Sequence, residues 1–525
     1  MSTHSTQDSP AEWRPSFNPW LIAMAVMVAT FMEVLDTTIT SVALPNMAGS
    51  LSSTNEEATW VLTSYLVANA IVLPASGWFS LRFGRKRFLL ICTGLFTAAS
   101  FLCGLAPSMP ALILARILQG AGGGALMPLS QAILLESFPR EKQGMAMAMY
   151  GLGIVGAPVI GPYVGGWLTD NYSWRWIFNI NIPIGVLAIF LMARYVEDPP
   201  YIKNSRPGTI DRIGFGLLTV WLATLQVVLD KGQEEDWFAS TWITWFSIIS
   251  VGALAVLIVR ELRTPEPIVD LRVFRNRNFW VGTGMMTVLM AGVYSALAML
   301  PLFLQTLLGY TSQSSGLATA PRGVGAMIAM PIVGVLMSYV DSKWLMSLGI
   351  ACLAGSTLML GNLTLDVSMA AIVWPNVLQG VGMALVMVPL MAISVGTLPN
   401  EKIGNASGIF NLMRILGGSI GISVSTTYLA RMAQTHQANL VSHMTPYDPA
   451  FQQRLSGIAA GLSRYTAEPQ AHMQAYGLLH GMLLQQAYLG AYVDLFCWTA
   501  LIMALCLPGV WLLKNVVTKG SLAPH

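Results

Sequence analysis

Two carboxylates, Glu33 and Asp36, stand three residues apart inside an apolar stretch, and three arginines, Arg116, Arg322 and Arg414, interrupt other such stretches. Residues three apart share one face of a helix. A charge at bilayer depth costs at least ~2.5 kcal/mol on insertion scales, so these side chains have to face a cavity or a partner and not lipid. A buried acid whose solvation and neighbouring cations change can take up and release a proton. Glu33 and Asp36 therefore suit proton-coupled chemistry, and they equally suit a fixed structural ion pair.

Other chemistry finds less material. No His, Ser or Cys stands in a nucleophile arrangement, and the Gly120–Gly124 run lies inside an apolar helix with no following P-loop Lys-Ser/Thr, which argues against an enzyme and against ATP-driven work. The five cysteines all lie in apolar blocks without metal-ligand or disulfide spacing, so they read as small core residues, with no metal site and no cofactor expected.

The elements that must position these residues follow from composition. Of 525 residues, 54% are hydrophobic and 10% charged, against roughly 25% charged in soluble domains. The apolar residues fall in blocks of about 20, the length of a helix crossing a ~30 Å bilayer core. Fourteen helices are expected, near 20–46, 57–80, 87–106, 110–136, 143–168, 175–195, 213–230, 240–260, 278–305, 313–338, 344–363, 368–397, 405–430 and 486–512. Residues 1–18 are polar and show no removable signal peptide, so the first helix is expected to serve as the targeting signal. An even count puts both termini on one side. With that side cytoplasmic, 20 Lys and Arg fall in cytoplasmic segments and five outside, as the positive-inside rule requires. The net charge of +3 is spread over short connections, which gives nucleic-acid binding no support. One outer connection, 431–485, is long and polar and carries no spanning block.

An internal repeat organises these helices. Leu118-Gln119-Gly120-Ala121-Gly122 returns 260 residues later as Leu378-Gln379-Gly380-Val381-Gly382, and Pro139-x-Glu141-Lys142-x-Gly144 returns as Pro399-x-Glu401-Lys402-x-Gly404. Pro74-x-x-Gly77 matches Pro331-x-x-Gly334 at an offset of 257. Two parallel six-helix bundles with two extra helices between them account for the count. The expected division is an N-terminal segment 1–19, a bundle 20–200, an inserted pair 201–265, a bundle 266–515 containing the 431–485 loop, and a tail 516–525. Related halves around a midplane site permit alternating access. In the repeat Asn376 stands at the place of Arg116, so charge chemistry there is confined to the first half.

Gly153, Ala157, Gly161 and Gly165 recur every four residues and form a stripe that lets another helix approach closely. Pro158 and Pro162 on the same helix remove backbone donors and are expected to bend it; the second half has Gly417 and Gly418 at 157 and 158 and Ile422 at 162. The 30 methionines and 10% aromatics suit a pliable apolar cavity, although most of those side chains are expected to face lipid or neighbouring helices.

Taken together, several motifs resemble the major facilitator superfamily, and within it the fourteen-helix drug:proton antiporters of the EmrB type, over nearly the whole chain. They are Leu35-Asp36-Thr37-Thr38-Ile39-x-x-Val42-Ala43-Leu44-Pro45, Arg116-x-x-Gln119-Gly120, Gly153 through Gly161-Pro162-x-x-Gly165-Gly166, and Trp174-Arg175-Trp176-Ile177-Phe178-x-Ile180-Asn181-x-Pro183. The resemblance implies an all-α major facilitator fold and export of hydrophobic or amphipathic compounds in exchange for protons across a bacterial inner membrane. It also implies an EmrA-like periplasmic adaptor and an outer-membrane channel as partners, with 431–485 as a contact. It makes Arg116 the cation beside Asp36 and Glu33, and the 153–165 stripe a seal against proton leak. Thr37, Gln119, Asn376 and Gln379 become candidate cavity residues, and Arg322, which follows Pro321 within the tenth block, either lines the cavity as well or bonds to carbonyls freed near the proline. The cytoplasmic loop motif reads Gly77-x-x-x-Leu81-Arg82-x-Gly84-Arg85-Lys86, with Leu81 where the family has Asp, which questions an acid-based latch in that loop. Export of one endogenous metabolite or siderophore, and a membrane sensor without transport, remain the alternatives.

Overall fold

The computed structural model describes residues 15–203, 211–265, 267–310, 312–442, 444–445, 447–465 and 467–514. The expected 516–525 tail and most of the 1–19 segment lie outside the described residues. Among the described residues fourteen helices are long and apolar enough to cross a membrane: α1 Pro19–Leu44, α2 Glu57–Phe83, α3 Arg85–Leu105, α4 Met109–Ser137, α5 Lys142–Asn171, α6 Trp176–Tyr195, α7 Arg212–Lys231, α8 Thr241–Arg263, α9 Arg277–Thr306, α10 Ser314–Leu336, α11 Ser342–Leu360, α12 Met369–Gly396, α13 Lys402–Val441 and α14 Glu468–Leu512. In lipid every backbone polar group has to be satisfied within its own segment, which is why a chain this apolar resolves into helices.

The ends follow local chemistry. Thr54 and Glu57 form a reciprocal capping box at the start of α2, with both backbone-to-side-chain bonds at 3.1 Å. Asp211 caps α7 by accepting from the Gly214 amide at 2.9 Å, and the Arg260 guanidinium at the end of α8 donates to it at 2.6–3.0 Å. Burial opposes the charge of Asp211, but these bonds outweigh it and hold the carboxyl below the ordinary value of 3.8.

Within the first six helices α1 packs on α5, α2 and α3 on α4, and α3 on α6; among α9–α14 the corresponding pairs, α9–α13, α10–α12, α11–α12 and α11–α14, are packed in the same way. The pair α7–α8 packs on itself, and α7 touches α2 of one bundle and α13 of the other. The bundles meet through α2 with α13 and α5 with α10. These crossings are close: a Cβ on Gly77 would lie 2.9 Å from the Asn405 Cα, and one on Gly144 would lie 3.3 Å from the Gly334 oxygen. Asn411 of α13 donates to Gln131 of α4 at 2.6 Å, and Arg414 reaches the Met127 sulfur at 2.9 Å.

The 431–485 segment differs from a polar loop. The helix containing α13 runs Asn400–Val441, a separate helix spans Pro449–Leu462, and the last long helix starts at Glu468. The latter two pack on one another through Leu455, Ala459, Ala475 and Leu479. Tertiary contact, and not lipid, pays for this helix, so the apolar-block criterion passes over it.

Candidate functional site

Asp36 and Arg116 are brought together in the core of the first bundle. Arg116 Nη1 donates to Asp36 Oδ2 at 2.5 Å, and both side chains are 0% exposed. Asp36 Oδ1 accepts from Gln119 Nε2 at 2.8 Å and from Asn181 Nδ2 at 2.7 Å. Arg116 also donates to Gln119 Oε1 at 2.8 Å and, through Nε, to the Val61 carbonyl at 3.0 Å. Its guanidinium carbon lies 4.3 Å from the Tyr65 ring centroid and 5.6 Å from that of Phe178. A buried ion pair needs further hydrogen bonds to its remaining lone pairs and donors, and α2, α4 and α6 supply them to Asp36 and to Arg116 Nε and Nη1, while Arg116 Nη2 has no hydrogen-bond partner among the described residues.

Glu33, one turn before Asp36, is differently placed. Its Oε1 accepts from Asn69 Nδ2 at 2.9 Å, while its buried Oε2 has no hydrogen-bond partner among the described residues. The first bundle thus holds one carboxylate locked into an ion pair and a second, 5% exposed, that is only half satisfied. Both are shut off from solvent in this structure, so exchange with either side requires the bundle to open.

The stripe on α5 lies against the helix that carries these acids. A Cβ on Gly153 would sit 2.6 Å from Met27, one on Gly161 would collide with Thr38, and one on Gly165 would sit 3.0 Å from Ile39; Ala157 is fully buried. Pro158 is exposed, and the Pro162 side chain lies outside the described residues. The helix runs Arg140–Asn171 without a break.

The expected cavity residues divide. Gln119 is fully buried in the Asp36 cluster, and Thr37 turns its hydroxyl back to the Val34 carbonyl at 2.9 Å. Arg322, Asn376 and Gln379 form a second buried group, in the other bundle. Arg322 Nη2 donates to Asn376 Oδ1 at 2.8 Å, Asn376 Nδ2 donates to the Ile372 carbonyl at 2.8 Å, and Gln379 Nε2 reaches Thr357 Oγ1 at 3.5 Å.

In the loop motif Gly84 has φ +84, a backbone conformation that favours glycine, and a Cβ there would lie 2.8 Å from the Asp198 carboxylate. Asp198 accepts from the Lys86 amide at 2.8 Å, Arg85 is buried and ion-paired to Glu136, and Arg82 is exposed. Acids from the ends of α4 and α6 thus serve the loop whose own acid is replaced by Leu81.

Sequence reading missed Asn69, Asn181, Tyr65 and Glu136 as partners, together with the Gln131–Asn411–Arg414 contact between bundles. Asn181 was visible within the motif that ends at Pro183; nothing in the spacing tied it to Asp36. Asp494 on α14 faces His436 Nε2 at 2.8 Å.

Two related six-helix bundles with an ion pair sealed inside one of them define a polytopic carrier. The sequence profile described as Major Facilitator Superfamily matches residues 26–422, and the chain belongs to that family. It is 36% identical over 501 residues to the fatty acid resistance protein FarB of Neisseria gonorrhoeae, covering 95% of this chain and 97% of that one. It is 36% identical over 503 residues to the multidrug export protein EmrB of Escherichia coli K12, covering 95% and 96%. Among solved structures, a double-Trp mutant of XylE superposes with a TM-score of 0.60 at 16% identity, over 96% of this chain and all of that one. The human organic anion transporter MFSD10 gives 0.58 at 13% identity, over 93% of this chain. These two likenesses speak to the fold.

Proposed function

We propose that the chain is a proton-coupled antiporter that exports hydrophobic or amphipathic drugs and toxic compounds by alternating access. The observation that carries this reading is the pairing, on one face of α1, of a fully compensated Asp36 with a half-satisfied Glu33. A charge in a closed apolar core persists only with its partner, so opening the Asp36–Arg116 cluster to water favours proton exchange, and closing it again favours the paired or the neutral state. The stripe on α5 grips α1 across its acidic stretch, which supports its role in keeping that face dry. The relatives named for multidrug export and for fatty acid resistance support an amphipathic cargo.

The remaining assignments belong to the same reading. The chain divides as six, two and six helices, lies in a bacterial inner membrane and keeps both termini cytoplasmic. It hands its cargo to a periplasmic adaptor and an outer-membrane channel, with the helical 431–485 segment as their contact. The charge balance of the connections supports the orientation. Purified protein in liposomes under an imposed pH gradient tests the whole: the parent drives dye efflux and Asp36→Asn does not. Gradient-driven efflux surviving in Asp36→Asn would remove Asp36 from the mechanism.

A further inference from the structure

The three intramembrane arginines are not equally provided for. Arg116 has Asp36. Arg414 lies between Asn411, Tyr294 and Met127 at the contact of the two bundles. Arg322 is 7% exposed, and its one hydrogen bond goes to the neutral Asn376, while Nε and Nη1 have no partner among the described residues. The second bundle has little to offer as a counter-charge. Its spans α9 to α13 contain no Asp or Glu, and the acids of α14 are Glu468, its first residue, and Asp494, which His436 occupies. A guanidinium in such surroundings is costly unless something else pairs with it.

We infer that Arg322, positioned by Asn376, is a docking subsite in the second bundle for the carboxylate head of an amphipathic anion. The unpartnered Nε belongs to the flat donor fork of the guanidinium, and a carboxylate, planar with two acceptor oxygens, is the group that such a fork engages bidentately. Beside Arg322 and the amides of Asn376 and Gln379, the polar side chains of α10 near this point are Thr319 and Ser315, one and two turns before Arg322, and the others on α10 and α12 are apolar, so the tail of the ligand meets Ala, Val, Ile, Leu and Met. Pro321 carries no amide hydrogen, so α10 lacks one backbone donor immediately before Arg322. The inference rests on the transport reading and narrows it to a class of cargo.

The test is binding and efflux by the full chain in phosphatidylcholine liposomes, with dodecanoate and dodecyltrimethylammonium as a matched pair of probes. The parent binds both. In Arg322→Gln, dodecanoate binding is expected to weaken at least about tenfold while the trimethylammonium probe stays within about twofold, since a hydrogen bond to a charged group is worth that much. Asn376→Asp supplies an internal carboxylate to Arg322 and is expected to abolish dodecanoate preference without lowering thermal stability, which decides the matter should Arg322→Gln fail to fold. Unchanged dodecanoate binding in the folded variants, an equal loss of both probes, or no dodecanoate binding by the parent overturns the subsite. The Asp36 dependence of trimethylammonium efflux is read in the same liposomes, so the transport reading stands or falls separately.

Discussion

The two bundles share a scaffold and divide the charge unequally. In the first, a Cβ on Gly120 would collide with the backbone oxygen of Tyr65; in the second, one on Gly380 would collide with that of Arg322. Tyr65 and Arg322 are 257 residues apart, the offset of the Pro74 and Pro331 repeat, so they occupy the same place. The first bundle puts an aromatic ring on α2, a guanidinium on α4 and an acid on α1 to close the charge. The second puts the guanidinium on the α2 counterpart, an amide on the α4 counterpart and no acid on α9. A repeat can therefore keep its helix contacts while one copy holds a self-contained ion pair and the other an open cation.

The largest expected effect breaks the closed side. Asp36→Asn leaves Arg116 charged and buried without its counter-ion, which costs about 3–5 kcal/mol and lowers the thermal midpoint measured in detergent. Adding Arg116→Gln to it removes the stranded charge and recovers much of that stability, yet coupled efflux stays absent; recovery of efflux in the double variant would make the pair merely structural. Next comes the grip on α1. Gly161→Val forces a side chain into Thr38 and is expected to cost about 1–3 kcal/mol and to raise passive proton leak, read with a pH dye inside liposomes.

Cutting the contact between bundles is milder. Asn411→Ala removes the bond to Gln131 and is expected to cost about 1–3 kcal/mol, since a buried amide oxygen or nitrogen is left unmatched, and to change the rate of efflux more than its dependence on the gradient. The smallest effect is at the α7–α8 clamp. Asp211→Asn is expected to cost up to about 1 kcal/mol, because Arg260 is 34% exposed and solvent screens the pair. The Asp211 carboxyl sits below its unfolded value in the folded protein, so the stability it lends is present at neutral pH and is lost as pH falls through and below 3.8. A urea titration at pH 7 and pH 3 reads the difference between parent and variant.

Helix number and the intramembrane charges were legible because a bilayer imposes a length on every apolar block and makes each buried charge conspicuous; the repeat was legible from motifs recurring at fixed offsets, and the placing of Arg116 beside Asp36 came from the family resemblance. The extension of α13 beyond 430 was not, since Gln434, His436, Gln437 and Asn439 carry no membrane signal; the tie of this stretch to α14 is the His436–Asp494 contact. The acids beside the loop motif were equally hidden: Leu81 reports a missing Asp, while Glu136 and Asp198 meet Arg85 and the Lys86 amide only once α4 and α6 end there. Asn69 and Asn181 are ordinary amides in sequence, and their meaning lies in which carboxylate each one faces.

The central claim, that the carboxylates of α1 exchange protons as cargo binds and leaves, is met most directly by substrate-induced proton release from the purified protein, followed with a pH indicator in weakly buffered detergent solution. Release from the parent is predicted to fall by half or more in Glu33→Gln and to vanish in Glu33→Gln combined with Asp36→Asn. The same proton count from that doubly substituted protein, still folded and still binding its substrate, would contradict the account.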